Sequence, residues 1–341
     1  MQVIFVALLL LALFAKSKPT RWNEYYIGKE TTSTINGLFL WLVFLSHFTQ
    51  YLPSSAGNVV ARHLGQLVVV MFLFYSGYGC AVQYLTKGES YLRAFPRKRI
   101  LPTLINFDIA VCAFVAVGLL LGKSMTARKV VLSLVCWDSV GNSNWYIFVI
   151  MLCYALFWFS AGVVKRKVNV IDRGWQKWQI IMMLLFATSV VALSRVRPSW
   201  WCDTLMAFGA GAVYGLNRNC IENYVKKNYW ICLAFAVVLF VFVGYIPFIG
   251  QKYWISHNIK SVAFAIIVVM ATMKISVDSA MLKWSGEHLF PLYIYQRIPM
   301  IVFSTLFPAA FKDARCLICF CISACIAIAI AILYPRFQFR G

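Results

Sequence analysis

Apolar residues run along this chain in blocks about as long as a bilayer crossing, separated by short polar stretches. A helix that spans a membrane needs about 20 apolar residues, usually 17–25. The blocks predict helices over about 2–15, 35–52, 64–85, 100–121, 144–164, 178–194, 200–216, 229–247, 259–274, 288–307 and 316–334. The expected fold is therefore all-α: a polytopic transmembrane helix bundle of about 10–11 membrane helices. No long linker, soluble domain or internal repeat interrupts it. Residues 1–30 read as an extra N-terminal membrane helix with a basic loop, and residues 31–341 as the main bundle. The first block, "MQVIFVALLLLALFA", has no charge before it and "KSKPTR" after it. That is the pattern of an uncleaved helix whose C-terminal end faces the cytoplasm.

Composition agrees with the pattern. The 341 residues are 62% hydrophobic and 13% charged, against about 25% charged in soluble domains, and the mean hydropathy is +0.75. A formal charge of +21 would point to nucleic acid in a soluble protein; here the basic residues sit in loops beside lipid. Twenty-one of them fall in one alternate set of loops, ten in the other, and Arg297 lies within a block. The richer set belongs in the cytoplasm, which puts the N-terminus outside and the C-terminus inside. The expected setting is the plasma membrane, crossed many times, with the bilayer as partner and no nucleic acid. Tryptophans such as Trp137, Trp145, Trp200 and Trp254 lie near block ends, where such residues anchor helices at the interface. The 11 cysteines fall mostly inside apolar runs, and "CLICFCISAC" has neither His nor carboxylate beside it. They read as small apolar residues, and no metal is expected.

Four polar features interrupt the apolar text. His47 lies near the end of the second block, roughly 18 Å along the helix from Ile35, in the outer half of the membrane under the expected topology. Intramembrane ionisable groups are functional candidates, and an imidazole can serve as a general base near neutral pH; an interfacial histidine bonded to a neighbouring helix is the alternative. In "YLRAFPRKRILP", Arg93, Arg97, Lys98 and Arg99 cluster at the expected cytoplasmic start of a helix. They fit either topogenic charge or a phosphate site assisted by the helix N-terminus. No Walker-type glycine loop is present, which argues against a nucleoside triphosphatase. "WDSVGNSNWYIF" has turn chemistry before a helix; Asn142, Ser143 and Asn144 fit either a helix cap or hydrogen bonds to a sugar hydroxyl. Asp108 and Arg297 are buried charges for which a mutual ion pair is one arrangement.

These stretches together resemble the membrane acyltransferase 3 family. "INGLFLWLVFLSHF" is similar to its first helix, ending in His47; "GQLVVVMFLFYSGYG" to its second, with Ser76 in the "FF-x-SG" ending; "FPRKRILP" to its basic segment; "NSNWYIF" and "HLFPLYIYQRIPM" to later helices. Asn36 stands where the family carries Arg or Lys, and Gln296 where its closing segment carries histidine. The resemblance implies an O-acyltransferase moving acetyl from acetyl-CoA to a hydroxyl of a lipid-linked or surface glycan of the cell envelope. It implies His47 as the catalytic residue, a general base or a transient acyl carrier, and Arg97, Lys98 and Arg99 as holders of the CoA phosphates. Ser76, Asn144, Gln296 and Arg297 are candidates to bind substrate or the oxyanion. A transporter or flippase of a lipid-linked glycan is the alternative reading.

Overall fold

The computed structural model describes residues 16–53, 56–167 and 174–339, together with Ile4 and Ala7. Apart from those two residues, the helix expected over 2–15 lies outside the described residues. The chain begins with strand β1 (Lys16–Pro19) and then runs through α1 (Lys29–Thr49), α2 (Ala56–Lys87) and α3 (Glu89–Phe95). A π-helical turn, Pro96–Ile100, leads into α4 (Leu101–Leu120), α5 (Ala127–Leu134), α6 (Asn144–Lys167) and α7 (Gly174–Val196). Next come α8 (Leu205–Leu216), α9 (Arg218–Phe242), α10 (Pro247–Gln251), α11 (Tyr253–Lys274) and β2 (Ile275–Asp278). The chain closes with α12 (Ala280–Glu287), α13 (Leu289–Tyr295), α14 (Arg297–Leu306) and α15 (Cys316–Leu333).

Seven helical stretches among the described residues are long and apolar enough to cross a membrane. They are Gly65–Lys87, Glu89–Leu120, Asn144–Val163, Gln176–Val196, Arg218–Tyr245, Tyr253–Lys274 and Cys316–Arg336, each over an expected block. The remaining described blocks differ for local reasons. Helix α1 carries Lys29, Glu30, Thr31 and Thr32 in its first turn. Block 200–216 yields only the 12 residues of α8, because Pro198 and a 3-10 turn over Ser199–Trp201 precede it. Block 288–307 is broken at Gln296 between α13 and α14: Pro299 has no N–H for the Tyr295 carbonyl one turn earlier. In α9 the helical angles fail at Asn228 (φ −122°, ψ 31°), at the edge of the expected block.

The chain divides into two compact units. The first comprises residues up to Val69, Leu104–Phe148 and Thr272–Arg340. Lipid tails are as apolar as leucine, so helices in a bilayer associate through close packing and hydrogen bonds rather than through hydrophobic burial. Helices α1 and α12 use small residues for this. A Cβ built on Gly37 would lie 1.8 Å from the Leu282 carbonyl oxygen, and one on Gly286 would lie 1.8 Å from that of Ser33. Trp41 Nε1 donates to Ser285 Oγ at 3.0 Å across the same seam. Farther along α1, Phe44 and Phe48 pack edge-on against Phe320 of α15, at 5.3 and 5.2 Å.

Strand β1 pairs antiparallel with β2, Lys16 opposite Asp278 and Pro19 opposite Ile275. The Thr20 N–H continues the tie to the Lys274 carbonyl at 2.7 Å, and Lys274 Nζ donates to the Arg21 carbonyl at 2.6 Å. Lys283 of α12 is ion-paired with Glu30 of α1, which holds that exposed carboxyl below its ordinary value. These contacts bring together loops that the charge count assigns to one face of the membrane.

The second unit comprises Val70–Thr103 and Val149–Ala271. Here too glycines set the spacing: a Cβ on Gly77 would sit 2.0 Å from the Phe208 carbonyl oxygen, and one on Gly211 would sit 2.0 Å from that of Phe74. Around them Phe157 packs against Trp178 at 5.6 Å, and Phe186 stacks on Phe208 at 5.7 Å. On α9, Ile231, Phe235, Val238 and Phe242 are all more than half exposed. Their spacing puts them on one helical stripe, a surface that suits hydrocarbon and not water.

Candidate active site

Three pieces of the first unit build the site: the last turn of α1, the loop that starts α6, and the broken pair α13–α14. His47 is buried, with 7% of its surface exposed. The loop before α6 is tied by its own side chains. Ser139 Oγ donates to the Asn142 carbonyl at 2.7 Å, and Asn142 Oδ1 accepts from the Val140 N–H at 3.2 Å. Asn144 Nδ2 donates to the Cys136 carbonyl at 3.0 Å. Gly141 has φ +113° and Cys136 φ +60°. The second is unusual for a residue with a Cβ and costs on the order of 1–3 kcal/mol. This braced loop delivers Ser143, whose Oγ lies 3.4 Å from His47 Nε2. His47 Nδ1 is buried without a hydrogen-bond partner.

Tyr293 of α13 packs against His47 with ring centroids 6.1 Å apart, and Tyr146 packs against Tyr293 at 5.1 Å. The Tyr293 hydroxyl is buried without a partner and lies beside Ser143. At the break between α13 and α14, Gln296 is fully buried. Its Nε2 donates to the Tyr293 carbonyl at 2.8 Å, while its Oε1 has no partner. Arg297 donates from NH2 to the Tyr51 hydroxyl at 3.4 Å, with its guanidinium carbon 5.9 Å from that ring's centroid. Among the described residues it has no acidic partner. The Asp108–Arg297 ion pair does not form: Asp108 Oδ1 is buried and unpartnered, and Asp108 lies beside Cys136 instead.

Of the residues expected from sequence, the first unit thus gathers His47, Gln296 and Arg297. Asn144 is spent on bracing the loop, and its neighbour Ser143 takes the place beside the histidine. Tyr51 and Tyr293 were not singled out from sequence; their placement one turn from His47 and Arg297 respectively is the only signal that would have found them. Asn36 Oδ1 is buried without a partner earlier on α1.

The second unit holds the basic segment and Ser76. Arg97, Lys98 and Arg99 lie in the π-helical turn, all exposed. The expected helix N-terminus is absent there: α3, this turn and α4 form one continuous helical run, and the Leu101 N–H bonds to the Pro96 carbonyl. Pro102 has no N–H to give the Lys98 carbonyl, so the turn widens locally and the helix continues. Any anion held there is held by side-chain charge. Ser90, Arg93, Ala94, Arg97 and Lys98 line an open cleft of about 700 Å³. Arg93 is paired with Glu89 at 3.2 Å, which leaves Arg97 and Lys98 as the uncompensated charges of the cleft. Arg99 lies beside Tyr91, Tyr154 and Cys80, and Ser76 beside Tyr154. The described residues contain no group of three or more His, Cys, Asp or Glu able to hold a metal ion.

A bundle of membrane-length helices with a buried histidine–serine contact and a cationic cleft defines an integral-membrane protein equipped for group transfer. A family model described as an acyltransferase domain, that of the acyltransferase 3 family, matches residues 35–334, and the chain belongs to this family. The match begins within α1, before His47, and runs to the end of α15. No curated protein and no solved structure matches the chain.

Proposed function

We propose that this membrane acyltransferase moves an acetyl group from acetyl-CoA to a hydroxyl of a cell-envelope or surface polysaccharide, with His47 as the catalytic residue. The observation that carries the reading is the buried imidazole with one nitrogen beside Ser143 and the other without a partner. With Nε2–H donating to Ser143 Oγ, Nδ1 carries the lone pair and takes the proton of the acceptor hydroxyl. The hydroxyl oxygen attacks the thioester carbonyl, the C–S bond breaks, and the CoA sulfur leaves with the proton that His47 had taken. In the other route Nδ1 attacks the thioester carbonyl, the C–S bond breaks and CoA leaves as the thiolate; the acceptor hydroxyl then takes the acetyl group from Nδ1, and its proton passes to the freed imidazole and on to the thiolate. The 3.4 Å contact in the free protein shortens as substrate fills the site. The buried Tyr293 hydroxyl supplies a donor for the tetrahedral oxyanion, which a dry site favours strongly, while the open Oε1 of Gln296 accepts from a hydroxyl of the acceptor.

Arg97 and Lys98 hold the donor's phosphates by charge-assisted hydrogen bonds, Arg99 completing the cluster. The acceptor is a lipid-linked or outward-facing glycan, and the setting is the plasma membrane. The test is mass spectrometry of envelope glycans from cells with and without the protein. A glycan that gains one acetyl mass only when the protein is present supports the reading. Unchanged glycans, with purified protein that neither hydrolyses nor exchanges acetyl-CoA, overturn it.

A further inference from the structure

We infer that the acceptor of this enzyme is acidic: Arg297 is a binding site for a carboxylate or phosphate carried by the acceptor about one helical turn from the hydroxyl that is acylated. The inference rests on the acyltransfer reading above and adds the chemical class of the acceptor to it.

The geometry is a two-rung ladder. His47 and Tyr51 are four residues apart on one chain segment, and Tyr293 and Arg297 are four apart on the other. The segments meet rung to rung, His47 with Tyr293 at 6.1 Å between rings and Tyr51 with Arg297 at 3.4 Å. These two contacts fix the guanidinium one rung from the imidazole. It is close enough for its charge to act on both His47 and Tyr293.

A guanidinium carries five N–H donors in a planar fork. This one has a single long bond to a neutral phenol, a distant ring contact, and a buried Nε without a partner. A cation inside a membrane bundle is ordinarily paired with an acid. Here Asp108, the acid the sequence offered, stays apart, and the fork remains matched to a two-oxygen anion from outside the chain. The rung also lies on the side where α1 ends, which the charge count places toward the outer face, and that is the side from which a surface glycan arrives. CoA phosphates have their own cations in the second unit.

The experiment uses the full-length protein in detergent with three defined probes: methyl glucuronide, glucose 1-phosphate and, as the neutral control, methyl glucoside. Binding is read by calorimetry without donor, so it does not depend on turnover. One or both acids should bind at least about tenfold more tightly than the neutral sugar, as expected for a charge-assisted pair. Which acid does so separates a uronate from a phosphate acceptor. In Arg297→Gln the ratio of acid to neutral affinity should fall to about one, and Arg297→Lys should restore part of it. Equal binding of acid and neutral sugars by the unaltered protein overturns the inference whether or not the variants fold. So does an acid preference that survives Arg297→Gln. Acid-selective binding without any acetyl transfer would instead overturn the acyltransfer reading and leave the anion site standing.

Discussion

Alanine at Gly37 tests whether the α1–α12 seam sets the geometry of the site. The new Cβ would lie 1.8 Å from the Leu282 carbonyl oxygen. Contacts shorter than 3.0 Å are essentially never seen, so the two helices have to part by about 1.2 Å. The obstacle is backbone, which cannot rotate aside as a side chain would. Overpacking typically costs 1–3 kcal/mol, and the top of that range, about 3 kcal/mol, applies here. Helix α1 carries His47, and α12 leads into α13 with Tyr293, so the displacement reaches the site. A misplacement of about 1 Å in a catalytic array can cost 10²-fold in rate. The expected result is a lower temperature of loss of the monodisperse peak on size exclusion after heating, and acetyl transfer reduced by up to about 10²-fold. Gly79→Ala is the control, because no atom lies within 4 Å of its built Cβ; there alanine should raise stability by about 0.5–1 kcal/mol through helix propensity. If Gly37→Ala behaves like Gly79→Ala in both assays, the seam does not govern the site and the argument fails.

Other outcomes follow from the same geometry. His47→Ala should abolish transfer while the protein still elutes as a folded species; an active variant would remove His47 from the reaction. Ser143→Ala should lower transfer about tenfold by freeing the imidazole, and Ser143→Thr, which keeps the hydroxyl, should recover most of the rate at every pH measured. Arg97→Gln combined with Lys98→Gln should raise KM for acetyl-CoA far more than KM for the glycan, whereas a change confined to expression level would assign these residues to topology alone. In sealed vesicles of known orientation, labelled acetyl-CoA should reach glycan only from the face bearing Arg97; equal labelling from both faces would defeat the assignment of donor to the cytoplasmic side.

What the chain discloses before folding is uneven. The crossing helices are legible because each satisfies its own backbone in lipid and so announces itself as an apolar block. His47 is legible for the complementary reason, a titratable group in such a block. Ser143 and Asn144 are harder. They are adjacent at a helix start, both able to cap, but Ser143 precedes the first turn and Asn144 opens it; only packing decides that one braces Cys136 and the other meets His47. The basic segment looked like a helix start because the apolar block begins only at about residue 100, but the helix already runs from Glu89 and Pro102 widens a turn without ending it. Gly37 and Gly286 gave no sign of their partners, since the approach of Leu282 and Ser33 backbone is a property of two segments roughly 250 residues apart.

The distribution of unsatisfied polar atoms ties these strands together. Buried polar groups are nearly always hydrogen-bonded, because each unpaired one costs roughly 1–3 kcal/mol. In this chain His47 Nδ1, Tyr293 OH, Gln296 Oε1 and Arg297 Nε all lack partners. All four belong to the turn of α1 and the α13–α14 break that face one another. Unpartnered atoms occur elsewhere as well, at Asn36 Oδ1 and Asp108 Oδ1, but here four stand on two segments in contact, whereas Asn144 is paired with Cys136 and Trp41 with Ser285. Each of the four keeps one polar atom free while a second atom or its ring is held: His47 by Ser143, Gln296 by the Tyr293 carbonyl, Arg297 by Tyr51, Tyr293 by packing on Tyr146. Groups fixed in orientation yet left open are what a reaction needs: the acceptors His47 Nδ1 and Gln296 Oε1 and the donors Tyr293 OH and Arg297 Nε require no rearrangement as charge and protons shift. The close glycine seams and aromatic clusters elsewhere in the chain provide the stability that this arrangement gives up.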